Sequence, residues 1–314
     1  MKKLKGLLLT EGFHGMISQV EGLAKALDID FFHEKIELNN FWKLIPPKFT
    51  PIKKFVFNNE IKKDFDVIIS CGRKSVVPSI FLKKNSPKKI FNIHIQNPKI
   101  SLENFDIVVA PKHDEIKGKN VISTRGAIHY LTLEEINQNK NYLGSNIDRN
   151  KDILALIMGG PNKYYQYTKK NIQKIFSLIS ENVRKKNMQL IVIPSMRTPI
   201  ATIELAKNHF GSEHLVVDNV DKKAYLSALS LSNFIVVTCD SSSMISESAL
   251  TGKPIYVAQI SASKNDYRFQ SFRKLFKELN IIRDLDGNIE NWNYKPLDET
   301  NRVASEIKKI FNRF

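Results

Sequence analysis

The sequence predicts an α/β fold made of two Rossmann-like domains facing a cleft. Three observations carry this. Short apolar runs such as Lys5–Thr10, Ile153–Met158 and Ile235–Thr238 show little polar alternation, as strands buried on both faces do. Each run ends in a turn rich in Gly, Ser, Asn or charged residues, and amphipathic helical stretches lie between runs, the alternation of a parallel sheet. The pattern breaks at the polar, Asn-rich stretch 137–150 and then restarts. A chain of 314 residues suits two domains. The break divides it into 1–145 and 146–314, with the terminal helix 298–311 packing back on the first domain.

In order, Lys5–Thr10 is the first strand, Glu11–Gly15 a glycine-bracketed turn, and Ser18–Leu27 a helix with Val20, Leu23, Ala24 and Leu27 inward. Phe31–Glu37 is the second strand. Phe41–Phe57 is aromatic, basic and interrupted by Pro46, Pro47 and Pro51, so it cannot be one helix. It reads either as a loop laid on the sheet or as an interfacial patch in which Phe41, Trp42 and Phe49 contact a membrane. Asp66–Ser70, Ile90–Ile95, Phe105–Ala110 and Val121–Thr124 are further strands, and a helix to about Lys84 follows the first of them. Their ends carry Arg73, Gln96, Asp114 and Arg125, so one sheet edge acquires a polar rim. In the second half, strands at Ile153–Met158, Gln189–Pro194 and Leu215–Val217 alternate with helices at Asn171–Lys186, Thr202–Phe210 and Lys223–Leu231.

The most informative stretch is Phe234–Ile260. A β-branched strand runs into Cys239-Asp240-Ser241-Ser242-Ser243, a turn rich in helix N-cap residues. A short helix follows to about Thr251. Gly252 suits the position just past its end, Pro254 prevents continuation, and Ile255–Ala258 is the next strand. Open α/β sheets bind ligands at the carboxyl edge of their strands. Serines at a helix N-terminus there offer amides and the positive dipole end to an anion. Glu247, four residues after Ser243, shares that face and suits a ribose diol. The same pattern also describes a plain capped helix with a solvated Glu247.

Composition narrows the alternatives. The net charge is +16, without a single basic arm, which suits anionic lipid or phosphorylated substrates. No nucleic-acid-binding module is recognisable. Cys71 and Cys239 give neither a disulfide framework nor a metal spacing, and the histidines are scattered, so no metal is expected. No apolar stretch approaches the roughly 20 residues of a membrane span. The expectation is a cytoplasmic protein, extended to peripheral contact with the inner membrane.

Taken as an ordered set, Gly72-Arg73-Lys74, Ile95-Gln96-Asn97-Pro98, Ala110-Pro111-Lys112-His113-Asp114, Gly126-Ala127-Ile128-His129, Gly159-Gly160-Pro161-Asn162-Lys163, Ser195-Met196-Arg197-Thr198-Pro199 and Thr238–Glu247 resemble the bacterial branch of the "elongated mitochondria" fission-factor family. That family looks like a divergent GT-B glycosyltransferase, similar in outline to the peptidoglycan lipid-intermediate N-acetylglucosaminyltransferase. Its plant members recruit a dynamin-related protein to mitochondria. The resemblance implies a nucleotide-sugar donor in the second half, as substrate and with no separate cofactor. Ser241, Ser242 and Ser243 would contact the pyrophosphate, Glu247 the ribose, and Gly159-Gly160 would admit the donor closely. Arg197 would neutralise the leaving diphosphate, and Thr198 and Asp240 would be further donor contacts, with Asp240 equally a helix cap. A lipid-linked or glycan acceptor would lie on the first half, among Arg73, Gln96, Asp114 and His129. His14 would be the general base, with Glu11 its rival.

The turn after the first strand has fewer glycines than in typical GT-B enzymes, and the second acidic residue of the retaining-enzyme Glu pair is not evident after Glu247, so an inverting mechanism is preferred. The alternative is a non-catalytic adaptor recruiting a protein at a membrane. A nucleotide-sugar 2-epimerase on the same fold needs paired acid/base groups, and the second half shows no clear pair.

Overall fold

A computed structural model describes residues 3–61, 64–148 and 150–311. The chain divides into two compact units, Met1–Tyr130 with Asp298–Phe314, and Leu131–Leu297.

The first unit is a six-stranded parallel sheet of order β2-β1-β3-β4-β5-β6. It runs β1 (Lys5–Thr10), α1 (His14–Ala26), β2 (Asp30–Lys35), β3 (Val67–Cys71), α2 (Val76–Lys84), β4 (Phe91–Ile95), β5 (Ile107–Pro111) and β6 (Val121–Thr124). Strands β3 and β4 are buried at every position, including the polar Ser70, Asn92 and His94. Helix α1 buries Val20, Leu23 and Ala24 on one face of the sheet. It starts at His14 rather than at Ser18, because packing of Met16 against the core outweighs the helix-weakening Gly15.

The second unit opens with α3 (Leu133–Gln138) and continues through β7 (Ile153–Met158), α4 (Lys169–Lys185), β8 (Gln189–Pro194), α5 (Ile200–Phe210), β9 (Leu215–Val216), α6 (Lys222–Leu231), β10 (Phe234–Thr238), α7 (Ser242–Ala249), β11 (Ile255–Ala258), α8 (Tyr267–Glu278) and β12 (Ile282–Asp284). Its sheet is also six-stranded and parallel, of order β12-β11-β10-β7-β8-β9. The division therefore falls at 130/131, ahead of the Asn-rich stretch. That stretch is tied into the second unit: Ser227 Oγ donates to the Lys140 carbonyl at 3.0 Å, and the Leu143 N–H donates to Ser227 Oγ at 3.2 Å.

The last helix, α9 (Glu299–Phe311), belongs to the first unit. Val303, Ala304 and Ile307 join the core with Leu23 and Ile122. Its first residue, Glu299, is 2% exposed and anchors the helix to the end of β6. It accepts from the Arg125 N–H (2.8 Å) and guanidinium (2.9 Å), and from the Arg302 guanidinium (2.7 Å).

Phe41–Phe57 is neither one helix nor a free loop. It makes two 3₁₀ turns, Pro47–Phe49 and Lys54–Val56, and closes with an antiparallel bridge between Leu38 and Phe57. Val56 and Phe57 are core residues, and Trp42 packs against the same cluster beside Leu7, Leu9 and Val77. Trp42 is thus half-buried, with one side held by this cluster.

Candidate functional site

Both sheets reverse their strand order at one place, and ligands of open α/β sheets bind at such a switch point. In the second unit the reversal lies between β7 and β10. The loops leaving these strands, Gly159-Gly160 and Cys239–Ser241, therefore lie side by side.

The glycine turn is clamped by polar groups from two neighbouring strand ends. The Gly159 N–H donates to Thr238 Oγ1 (2.8 Å) and the Gly160 N–H to Asp240 Oδ2 (3.0 Å). Thr198 Oγ1 donates to the Gly159 carbonyl (2.6 Å) and accepts from the Ser195 N–H (2.8 Å). No side chain fits at either glycine: a Cβ on Gly159 would meet Asp240 Oδ2 at 2.2 Å, and one on Gly160 the Arg197 carbonyl oxygen at 1.9 Å. These glycines are required for the packing of one loop on another.

Asp240 is saturated. Its side chain is 0% exposed and ion-paired with Arg197 Nη2 at 2.8 Å. It also accepts from the Tyr167 hydroxyl at 2.6 Å. Arg197 Nη1 donates to the Gly160 carbonyl at 2.7 Å, and the Arg197 side chain keeps 43% exposure. The sequence reading placed Arg197 and Asp240 as separate donor ligands. The structure pairs them, so Asp240 acts on the turn rather than directly on a ligand, while one side of the guanidinium stays open to solvent. Tyr167, missed from the sequence, is a neutral donor: burial and the neighbouring Asp240 carboxylate push its hydroxyl far above the usual range.

Next along the chain is the N-terminus of α7. Ser241 is the N-cap, its side chain accepting from the Met244 N–H at 3.3 Å. Ser242 and Ser243 follow as half-buried residues in the first turn, where backbone N–H groups have no intrahelical acceptor. Glu247 lies one turn further in and accepts from the Tyr225 hydroxyl at 2.7 Å. Its carboxyl is half-buried, and burial pushes its pKa up to about 7, with the Tyr225 hydrogen bond acting in the opposite direction. Glu247 is thus not the solvated surface residue that the plain capped-helix reading would make it.

A second cluster unforeseen from the sequence sits under this loop. Arg273 of α8, 11% exposed, donates to the Tyr165 hydroxyl (2.9 Å), the Cys239 carbonyl (3.3 Å) and Asp266 (3.2 Å). Tyr165 in turn donates to Asp266. The Phe269, Phe272, Phe276 spacing of α8 signals a helix, and Arg273 lies among those residues. A cavity of about 710 Å³, lined by Arg184, His209 and His214 among others, lies by the start of β8, at the amino edge of the sheet.

In the first unit the reversal lies between β1 and β3. Glu11 ends β1 and is held by Lys74, through Nζ at 2.9 Å and the backbone N–H at 3.2 Å. Its side chain is only 10% exposed. Glu11 is thus bound to a cation rather than standing free as a base. His14 is exposed at the first residue of α1, its Nε2 3.3 Å from the Tyr130 hydroxyl, and is not part of a turn. The Arg73 guanidinium donates to the Lys43 carbonyl. Gln96 takes a φ of 84°, uncommon for a non-glycine residue, and its N–H donates to the Val109 carbonyl at 2.8 Å. Asp114 lies 3.9 Å from His113, with a side chain 7% exposed. His129 is buried; its N–H donates to Thr300 Oγ1 (3.0 Å) and its carbonyl accepts from the same hydroxyl (2.9 Å), so its backbone fastens α9. Of the four residues expected to line the acceptor side, Arg73 and Gln96 retain surface, whereas Asp114 and His129 are packed inward.

These loops and their spacing match the family model described as Mitochondrial fission ELM1 over residues 14–311. The chain belongs to this family. The Mitochondrial fission protein ELM1 of Arabidopsis thaliana is 23% identical over 272 residues, covering 77% of this chain. The chain spans 63% of that relative's length. An uncharacterized protein of Rickettsia prowazekii is 26% identical over 281 residues, covering 77% of this chain and 79% of its own. Among solved structures, the UDP-GlcNAc 2-epimerase of Methanocaldococcus jannaschii aligns over 99% of both chains with a TM-score of 0.57 at 15% identity. The Neisseria meningitidis enzyme bound to UDP-GlcNAc aligns over 99% of this chain and 100% of its own, with a TM-score of 0.54 at 13% identity. The shared feature at this identity is the fold, two Rossmann-like domains of GT-B type. Among the described residues, no helix is long and apolar enough to cross a membrane.

Proposed function

We propose that this family member binds a nucleoside-diphosphate sugar in its second unit and transfers the sugar, with inversion and without a metal, to an envelope or lipid-linked glycan acceptor on its first. The observation that carries the reading is the coincidence, beside the switch point, of the serine-capped N-terminus of α7 and a half-buried carboxyl with no ion-pair partner among the described residues. The Ser242 and Ser243 amides and the helix dipole suit a pyrophosphate. Glu247 suits two ribose hydroxyls, each donating to it. The Arg197–Asp240 pair holds the Gly159-Gly160 turn in place, and the exposed side of Arg197 is available to the leaving diphosphate. His14 serves as base, because Glu11 is occupied by Lys74.

A second reading, a non-catalytic adaptor that keeps the fold for a protein partner, is favoured by the Arg197–Asp240 pair, which withdraws the buried Asp240 carboxylate from any ligand. Calorimetry against a panel of uridine, guanosine and thymidine diphosphate sugars separates the two. Binding of one member, weakened in Glu247→Gln by roughly 1.5–3 kcal/mol, is the expected result; no binding across the panel defeats the transferase reading. Product analysis by NMR then distinguishes sugar transfer from epimerisation at the same site.

A further inference from the structure

We propose that Phe41, Leu44, Phe49 and Phe55 form a preorganised edge that docks the protein on an anionic lipid surface. The proposal stands apart from the donor site and is unaffected if that reading fails.

The exposures are large for apolar side chains: 65% for Phe41, 82% for Leu44, 70% for Phe49 and 58% for Phe55. Singly exposed apolar residues need no explanation, but a group concentrated between residues 41 and 55 does. The segment that carries them is firmly held. Trp42 packs into the core and stacks edge-on with Phe41 at 4.8 Å and against Phe55 at 6.0 Å. Thr50 Oγ1 donates to the Pro46 carbonyl at 3.0 Å, Asn39 donates to the Phe55 carbonyl, and Arg73 to the Lys43 carbonyl. Pro46, Pro47 and Pro51 lower the entropy of the chain before it docks. These side chains are therefore presented outward by a fixed backbone instead of collapsing onto the core.

Charge identifies the occupant. Lys43, Lys48, Lys53 and Lys54 lie among the aromatics, and no Asp or Glu occurs between Glu37 and Glu60. Lys48 reaches over the Phe49 ring at 5.8 Å, so cation and ring are offered together. A basic, aromatic, proline-stiffened edge on a chain of net charge +16 matches an anionic bilayer: rings enter the headgroup boundary and ammonium groups meet lipid phosphates. An interface with another protein core carries fewer lysines.

The test is co-sedimentation of the full chain with vesicles of phosphatidylcholine alone and of phosphatidylcholine with phosphatidylglycerol. The wild type should pellet with the anionic vesicles and be released as salt approaches about 0.5 M, where the Debye length falls to a few ångströms. Phe41→Ser with Phe49→Ser should lower partitioning at least about tenfold. Lys48→Gln with Lys53→Gln should lower it about fivefold per lysine. Trp42→Phe should leave it within about twofold of wild type, since it keeps an aromatic ring packed against the same cluster. Circular dichroism confirms that each variant folds, and the lysine pair still decides the matter if the phenylalanine pair does not fold. Failure of the wild type to pellet, equal pelleting with both vesicle types, or undiminished binding by a folded double variant each overturns the proposal. The first of these outcomes transfers the patch to a protein partner.

Discussion

Replacing Glu247 by Gln should stabilise the free protein while it weakens the proposed ligand site. In the folded chain, burial raises the Glu247 pKa from 4.5 to about 7. A shift of that size corresponds to roughly 3 kcal/mol between protonation states at 1.36 kcal/mol per unit. Relaxation of a half-buried site brings the expected effect down to about 1–3 kcal/mol. The sign follows from linkage: the folded state holds its proton more tightly than the unfolded one. The Glu247 contribution is therefore intact below about pH 4.5 and lost as pH rises through about 7. Gln imitates the protonated form at every pH. Glu247→Gln should match wild type near pH 4.5 and gain stability by pH 8. At 2–4 °C per kcal/mol for a domain of this size, the gain is about 2–12 °C. Differential scanning fluorimetry at several pH values reads it directly. A gain independent of pH, or a loss at pH 8, would show that the carboxyl is solvated or otherwise compensated and would remove the physical basis of the ribose assignment. The same linkage predicts that nucleotide-sugar affinity rises about tenfold per pH unit below 7 and levels off above it, because the diol donates to the ionised carboxyl.

Arg197→Ala leaves the Asp240 carboxylate buried with only neutral donors and should cost roughly 3 kcal/mol, read from urea midpoints; unchanged stability would show that the pair does not hold the glycine turn. Glu299→Gln should cost about 1–3 kcal/mol at pH 7. Burial alone would raise the Glu299 pKa, but the Arg302 and Arg125 hydrogen bonds outweigh it and hold it below 4.5. Its contribution is present above that value and lost as pH falls through the lowered pKa, so the wild-type advantage should vanish in acid; persistence of the advantage there would point to packing instead of charge. With a donor and acceptor in hand, His14→Ala should lower kcat by about 10²–10⁴ with donor affinity intact, and full turnover in that variant would remove His14 as the base.

Strands were legible wherever both faces are buried. Ile153–Met158 and Gln189–Pro194 coincide with β7 and β8, because a doubly buried strand leaves an apolar run bounded by polar turns. The N-terminus of α7 was legible from its serines, since N-capping is local chemistry. Helix α8 was missed although its Phe272 and Phe276 lie on a helical face, because charges on the other face hide a short pattern. The start of α1 was misplaced because Gly15 lowers local propensity, a weak effect that tertiary packing overrides. The boundary at 130/131 was obscured because the stretch 137–150 is polar in sequence yet exchanges hydrogen bonds with Ser227 of α6. Pairings such as Arg197 with Asp240, or Glu247 with Tyr225, depend on which loops the sheet brings together. No local spacing encodes them.

The two switch points use their carboxylates differently, and the difference bears on function. At β1 and β3, Glu11 is matched by Lys74 and locks its turn to the neighbouring strand end. At β7 and β10, Asp240 does the equivalent for the glycine turn with Arg197, Tyr167 and the Gly160 N–H. Both groups sit immediately after a strand, where holding a turn is the structural task. Glu247 sits one helical turn further on, holds no turn, and among the described residues has only the Tyr225 hydroxyl to offset its burial. A protein using this fold solely as a scaffold would be more stable with Gln or Leu at that position. A cost confined to one residue beside preorganised amides is what a binding site requires if the missing donors arrive with the ligand. The adaptor reading offers no such recovery, because a partner docking elsewhere on the surface leaves Glu247 as uncompensated as before. The pH dependence of Glu247→Gln is therefore more than a check on one residue: a stability gain at pH 8 with no nucleotide-sugar binding would mark a site whose ligand is a different diol, whereas no gain at all would return the balance to the adaptor.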